Sequence, residues 1–180
     1  MGQITLLLGG ARSGKSSYAQ RMAEESGKSV TYLATAQALD DEEMSSRIQK
    51  HQSERPAHWQ TLEIPLNIAS HVGEIKSELV ILDCMTLLTT NLLMEFEKNE
   101  LVDEVPFTEA VYKEVADLLA AIRAGKPDWL IISNEIGLGL VPPYQMGRVY
   151  RDLLGWANQR LAREADKVLF LVAGIPMVVK

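Results

Sequence analysis

The octet Gly9-Gly10-Ala11-Arg12-Ser13-Gly14-Lys15-Ser16 follows the pattern G-x-x-x-x-G-K-S. Its chemistry is the binding of polyphosphate. The glycines let backbone N–H groups crowd around a β-phosphate, Lys15 reaches the β- and γ-phosphates, and the Ser16 hydroxyl can hold Mg²⁺. The apolar run Ile4-Thr5-Leu6-Leu7-Leu8 precedes the octet and a helical pattern over residues 17–25 follows it. Strand, loop and helix in that order give the motif its structural context, and the helix N-terminus adds its own attraction for an anion. The chain is therefore expected to bind a nucleoside triphosphate.

Asp83 closes the apolar run Leu79-Val80-Ile81-Leu82. A carboxylate at that place can hold Mg²⁺ directly or through water, or it can cap a helix starting at Met85. A third group lies in Arg47-Ile48-Gln49-Lys50-His51-Gln52-Ser53-Glu54-Arg55-Pro56. Arg47 and His51 share one helical face, and Arg55 sits where Pro56 turns the chain out of helical geometry. A neutral imidazole is a competent nucleophile toward phosphorus, and guanidinium forks hold phosphates. Taken alone, the pattern fits a solvated polar helix face better. His58 reads as packed beside Trp59, His71 as solvated, and Cys84 as a small buried residue. Asn134 and Glu135 follow a strand, where α/β sheets bind ligands, but capping of the loop explains them equally well.

These groups need a scaffold, and the periodicity supplies one. Strands are expected at residues 3–8, 30–34, 79–83, 129–133 and 168–172, with a short last strand at 175–179, antiparallel in one reading. Helices are expected at 16–26, 85–96, 107–124 and 144–164, and from a cap at Asp40 to about Glu54. Residues 95–106 are charged and aperiodic and read as a mobile loop; Gly137, Gly139, Pro142 and Pro143 mark another irregular segment. Strands alternating with helices imply an α/β fold with a mostly parallel sheet. No linker interrupts the pattern, so residues 1–180 are expected to form a single nucleotide-binding catalytic domain.

Composition narrows the partners. The chain has 180 residues, a net charge of −6, 47% hydrophobic and 23% charged residues. An acidic balance argues against nucleic acid as a partner bound through phosphate neutralisation. No apolar run approaches the roughly 20 residues of a membrane span, and the first apolar stretch lacks the basic flank of a signal peptide. One cysteine excludes an intrachain disulfide or a cysteine-based zinc site. A cytoplasmic location is the expectation.

The motifs together resemble a known family, the bifunctional adenosylcobinamide kinase/adenosylcobinamide-phosphate guanylyltransferase of cobalamin biosynthesis. The matching stretches are GGARSGKS at 9–16, YLAT at 32–35, DDEEMSSRIQKHQSERPAHW at 40–59, Glu63-Ile64-Pro65, LDCMTLLTTNLL at 82–93, SNEIGLGLVP at 133–142, RVYRDLLGWANQRLAREAD at 148–166 and VAGIPMVVK at 172–180. The pieces RI-x-x-H-x-x-x-RP and NE-x-G-x-G-x-VP are specific, whereas the phosphate loop alone is not.

The resemblance implies a RecA-like P-loop NTPase fold, a homotrimer, and two reactions. ATP or GTP phosphorylates adenosylcobinamide. GMP from GTP then passes through a covalent GMP-histidine to adenosylcobinamide phosphate, giving adenosylcobinamide-GDP. It makes His51 the catalytic nucleophile. It maps nucleotide contacts onto Gly9, Gly10, Ala11, Arg12, Ser13, Gly14, Lys15 and Ser16, onto Thr35, Ala36 and Gln37, onto Gln52, Ser53, Glu54 and Arg55, and onto Glu63 and Asp83. Mg²⁺ would be held by Ser16 and Asp83. Glu135 is expected to orient the acceptor hydroxyl. The alternatives are a P-loop kinase for another small molecule without guanylyl transfer, and a RecA-like nucleotide-dependent regulatory protein.

Overall fold

The computed structural model describes residues 2–37, 55–99 and 101–180. Seven strands form one sheet in the order β3-β2-β4-β7-β1-β8-β9. They are β1 (Ile4–Gly9), β2 (Val30–Ala34), β3 (Gln60–Glu63), β4 (Leu79–Asp83), β7 (Asp128–Asn134), β8 (Lys167–Val172) and β9 (Ile175–Val178). All neighbours run parallel except β8 and β9, which are antiparallel. A second, antiparallel pair joins β5 (Glu97–Lys98) to β6 (Leu101–Val102).

The central strands are apolar along their length because both faces are covered; every residue of β2 is buried. Helix α1 (Lys15–Ser26) covers one face. Its Ala19 and Ala23 pack with Leu7, Tyr32, Ile81 and Ile132. Helices α3 (Met85–Phe96), α4 (Glu104–Ala124) and α5 (Gln145–Glu164) cover the other, over Leu6, Leu33, Leu82 and Ile131. Phe107 and Trp129 are fully buried in that larger core, and truncating Phe107 to alanine would cost about 3–5 kcal/mol. Short helix α2 (Ile68–His71) continues into a 3₁₀ turn (Val72–Glu74).

Register places the working ends of four strands side by side. Gly9 lies opposite Asn134, Asp83 opposite both Ala34 and Ile132. The carboxyl edge of the parallel sheet, where ligands bind in open α/β folds, is thus built from β1, β2, β4 and β7.

One expected element is corrected. Residues 95–106 are not an irregular loop: α3 runs to Phe96, the β5–β6 pair follows, and α4 begins at Glu104. Two-residue strands are too short to show a period, and Pro106 sits in the first helical turn, where proline is tolerated. The last strand is antiparallel, and the strands at 30–34 and 79–83 and the helix at 85–96 have the expected bounds. The helix expected from Asp40 to Glu54 lies outside the described residues.

Candidate functional site

The turn from β1 into α1 is shaped by two glycines. Gly14 caps α1 in the left-handed region (φ 91°), and a Cβ there would sit 3.0 Å from the Cα of Gly174. At Gly9 (φ 153°) a Cβ would come within 2.6 Å of the Leu171 carbonyl. Only glycine fits both places without strain. No side chain caps the first turn of α1, and no acidic residue lies in it. Its N–H groups are left for an anion, and the helix dipole favours one there.

Lys15 is buried (7% exposed). Its ammonium donates to the carbonyls of Gly9 at 3.0 Å and Gly10 at 2.7 Å, and to Ser13 Oγ at 3.4 Å. Burial lowers its pKa from the usual lysine value, while Cys84 and Asp83 act in the opposite direction. A cation held among carbonyls in a desolvated loop gains from any anion brought beside it. Arg12, at the exposed tip of the loop, has a left-handed backbone (φ 57°).

Across from the loop lies a pocket of about 110 Å³. Ser16, Tyr32, Ala34, Ala36, Arg55, Glu63, Asp83 and Leu87 line it. The Tyr32 hydroxyl donates to Asp83 Oδ2. Burial, then the neighbouring Asp83 charge, push the Tyr32 phenol far up, so it stays protonated as a donor. The Asp83 carboxylate therefore does not cap α3, whose N-cap is Cys84 without a side-chain bond.

Arg55 stacks its guanidinium 3.8 Å from the centre of the Tyr32 ring. Its Nε and Nη1 are buried with no hydrogen-bond partner among the described residues. Buried donors without acceptors are rare and costly, above all on a charged group. An arginine held over a tyrosine ring at the lining of a pocket, with buried donors that no described group accepts, suits a phosphate or another oxyanion. Ser16 and Asp83 bring a hydroxyl and a carboxylate to the same pocket. Hard oxygen donors of this kind, in small number, suit Mg²⁺ that completes its shell with water and phosphate. Among the described residues no cluster of three or more His, Cys, Asp or Glu offers a protein-only metal cage.

Thr35 supports the pocket from behind. It is fully buried; its hydroxyl donates to the Cys84 carbonyl and accepts from the Cys84 N–H, both at 2.8 Å. Asn91 reaches the Thr35 and Pro65 carbonyls at 2.8 and 3.0 Å. The structure thus brings Ser16, Ala36, Arg55, Glu63 and Asp83 together and uses the Thr35 side chain to join β2 to β4. Gln37 follows Ala36. His51, Gln52, Ser53 and Glu54 lie outside the described residues. Tyr32 was not anticipated. Its signal is the two-residue period of β2, which puts it on the same face as Ala34 beside Asp83.

A family model described as cobinamide kinase / cobinamide phosphate guanyltransferase matches residues 5–179. The chain belongs to this family. A relative from Pseudomonas aeruginosa, the bifunctional adenosylcobalamin biosynthesis protein CobP, is 44% identical over 180 residues, covering 97% of this chain and 96% of the relative. The Escherichia coli protein of the same description, CobU, is 38% identical over 182 residues, covering 98% and 99%. Among solved structures, the flagellar accessory protein FlaH of Methanocaldococcus jannaschii superposes with a TM-score of 0.53 at 18% identity, covering 99% of this chain and 78% of that one. The RadB recombinase gives a TM-score of 0.53 at 15% identity, covering 94% and 74%. These two likenesses concern the fold, which is RecA-like.

In this cobinamide kinase / guanyltransferase chain the remaining expected residues fall at the end of β7. Glu135 donates its N–H to the Gly9 carbonyl at 3.0 Å, and its Oε1 accepts from the Gly137 N–H at 2.7 Å. Asn134 offers its carbonyl to Asn158 Nδ2 at 3.0 Å. The Glu135 carboxylate thus closes the turn and stands beside the root of the phosphate loop. His58 meets Trp59 edge to face with ring centres 6.4 Å apart. His71 pairs with Glu74 at 2.7 Å on the surface. The Cys84 thiol is buried and pushed up to about 12 by desolvation, which keeps it protonated and unreactive.

Proposed function

We propose that this chain phosphorylates adenosylcobinamide with ATP or GTP and then converts adenosylcobinamide phosphate to adenosylcobinamide-GDP. The observation that carries the reading is family membership across residues 5–179, on a fold whose phosphate loop and Arg55 pocket stand ready for a nucleotide. In the first reaction the acceptor hydroxyl oxygen attacks the γ-phosphorus. The new O–P bond forms as the bridging P–O bond to the β-phosphate breaks, and the nucleoside diphosphate leaves. Lys15 neutralises charge on the β- and γ-phosphates, and Gly14 and Ser16 bring the N–H groups of α1 to them. Glu135, one residue beyond β7 and bonded to Gly9, orients the hydroxyl and accepts its proton.

In the second reaction the His51 imidazole attacks the α-phosphorus of GTP. A P–N bond forms and pyrophosphate leaves. A phosphate oxygen of adenosylcobinamide phosphate then attacks the same phosphorus and releases the imidazole. Arg55 places its guanidinium on the transferred phosphate, with Gln52, Ser53, Glu54, Glu63, Thr35, Ala36 and Gln37 completing the nucleotide contacts. Mg²⁺ held by Ser16 and Asp83 would screen the phosphates as a Lewis acid.

The chain acts as one catalytic domain in the cytoplasm, where its nucleotides are abundant; no helix among the described residues is long and apolar enough to cross a membrane. It assembles as a homotrimer. The edge strand β9 carries exposed Ile175 (67%), Met177 (57%) and Val178 (71%), apolar surface on both faces of the strand that a neighbouring copy would cover.

The test is intact-mass measurement after incubation with GTP and Mg²⁺, with His51→Ala alongside. The expected result is an acid-labile GMP adduct on the wild type and none on the variant. A folded, GTP-binding wild type without an adduct would reduce the reading to a kinase.

A further inference from the structure

A second cavity among the described residues is larger than the nucleotide pocket. It has a volume of about 520 Å³ and opens between α5 and the turn after β7, with Leu8 at its floor. Glu135 lines it, and the Glu135 N–H is bonded to Gly9, so the cleft adjoins the start of the phosphate loop. Its other wall is a polar strip of α5 comprising Arg151, Asp152, Asn158 and Gln159, with Gly155 between them.

Two features mark this strip as a binding surface. Asn158 is 5% exposed and spends its Nδ2 on the Asn134 carbonyl, yet its Oδ1 is buried without a partner among the described residues. At Gly155 an added Cβ would meet nothing within 4 Å. Glycine in the middle of a helix costs about 0.5–1 kcal/mol relative to alanine. Here it leaves the cleft open beside the amides.

We propose that this cleft receives a carboxamide-bearing side arm of the corrinoid acceptor, with the arm's hydroxyl directed toward Glu135; this rests on the reading that the chain acts on cobinamide. A corrinoid carries neutral primary amides around its rim. Each primary amide offers two donors and an acceptor, and the hydroxyl-bearing arm, joined through a secondary amide, offers one donor and one acceptor. Asn158 Oδ1 offers an acceptor. Gln159 supplies donors and an acceptor. Arg151 and Asp152 form a neutral pair through Arg151 Nε and Nη2 on Asp152 Oδ1 at 3.2 and 3.1 Å. Glu135 brings a carboxylate whose Oε1 already accepts from the Gly137 N–H, so the wall matches amides rather than a single charge. The volume admits an arm and leaves the macrocycle outside. The same position serves a phosphorylated arm poorly beside the Glu135 carboxylate, the charge of Asp152 being paired with Arg151. The product of the first reaction is therefore displaced from the cleft, which frees it to meet the guanylylated His51.

The experiment measures cobinamide kinase kinetics and adenosylcobinamide binding, followed by the visible absorption of the corrin, on the full chain. Gly155→Met fills the cleft with a residue that favours the helix; Gln159→Leu removes its amide at similar volume. Both variants should raise the KM for adenosylcobinamide by about tenfold or more, the loss of one good polar or packing contact. GTP affinity and GMP-adduct formation should remain at wild-type levels. If both variants fold, bind GTP and keep a KM within about twofold of wild type, the cleft does not hold the arm. A wild type that turns over nucleotide with other acceptors but never phosphorylates cobinamide overturns the functional reading, and the cleft assignment with it.

Discussion

Arg55 is half-buried, lies over the Tyr32 ring and keeps two buried donors without acceptors among the described residues. Groups kept in such a state are retained for a ligand at a cost to the ligand-free fold. Replacing Arg55 by Met should leave the thermal midpoint of the nucleotide-free protein unchanged or raised, and weaken nucleotide binding by about tenfold or more. Arg55→Lys should not restore binding, because an ammonium neither stacks flat nor offers a fork. Calorimetry with a nucleotide titration checks both; a large drop in midpoint with unaltered affinity would make the residue structural. The phosphate loop and Asp83 were legible from their residues because their neighbours, a buried strand and a helix start, are local in sequence. Tyr32 was not, since a tyrosine inside an apolar strand reads as core until the register sets it beside Asp83.

At the scale of elements, Thr35 fastens the end of β2 to the start of α3 through two hydrogen bonds to Cys84. Thr35→Val keeps the shape and strands the Cys84 N–H, while the Cys84 carbonyl keeps its bond from Leu88 N–H at 3.1 Å, so it should cost about 1–3 kcal/mol. Urea unfolding would read that loss, and nucleotide affinity should fall with it as the Asp83 side of the pocket loosens. Most strand and helix spans could be read from periodicity. The parts that escaped are those whose support comes from far along the chain. β3 is a polar four-residue strand, Gln-Thr-Leu-Glu, that gains its ladder only beside β2. The start of α2 is capped by the Glu114 carboxylate from the middle of α4, which accepts from Asn67 and Ile68 N–H at 3.2 and 3.0 Å. No local pattern announces either.

For the whole molecule, three acids whose protons burial protects set an alkaline limit: Cys84, Tyr150 and Tyr32, the last pushed far above the ordinary phenol range. Cys84 is raised from 9.0 to about 12 and Tyr150 from 10.0 to about 12, both chiefly by desolvation. Between those values the unfolded chain loses the proton that the folded one keeps, so stability is full below pH 9 and falls as pH rises toward 12. Thermal midpoints across that range should decline, and Cys84→Ala should flatten the first part of the decline. Assembly is tested by light scattering: the wild type should have three times the chain mass, and Val178→Lys on the exposed edge should lower it.

The position of β1 in the sheet has a kinetic consequence. The strand that carries the phosphate loop pairs with none of its sequence neighbours; its partners begin at Trp129 and Lys167. Contacts of such long sequence separation form late and slowly. The nucleotide loop is rooted in the pairings of widest sequence separation in the sheet. A nucleotide is therefore expected to slow unfolding while leaving the refolding rate unchanged, which rates measured with and without nucleotide would check.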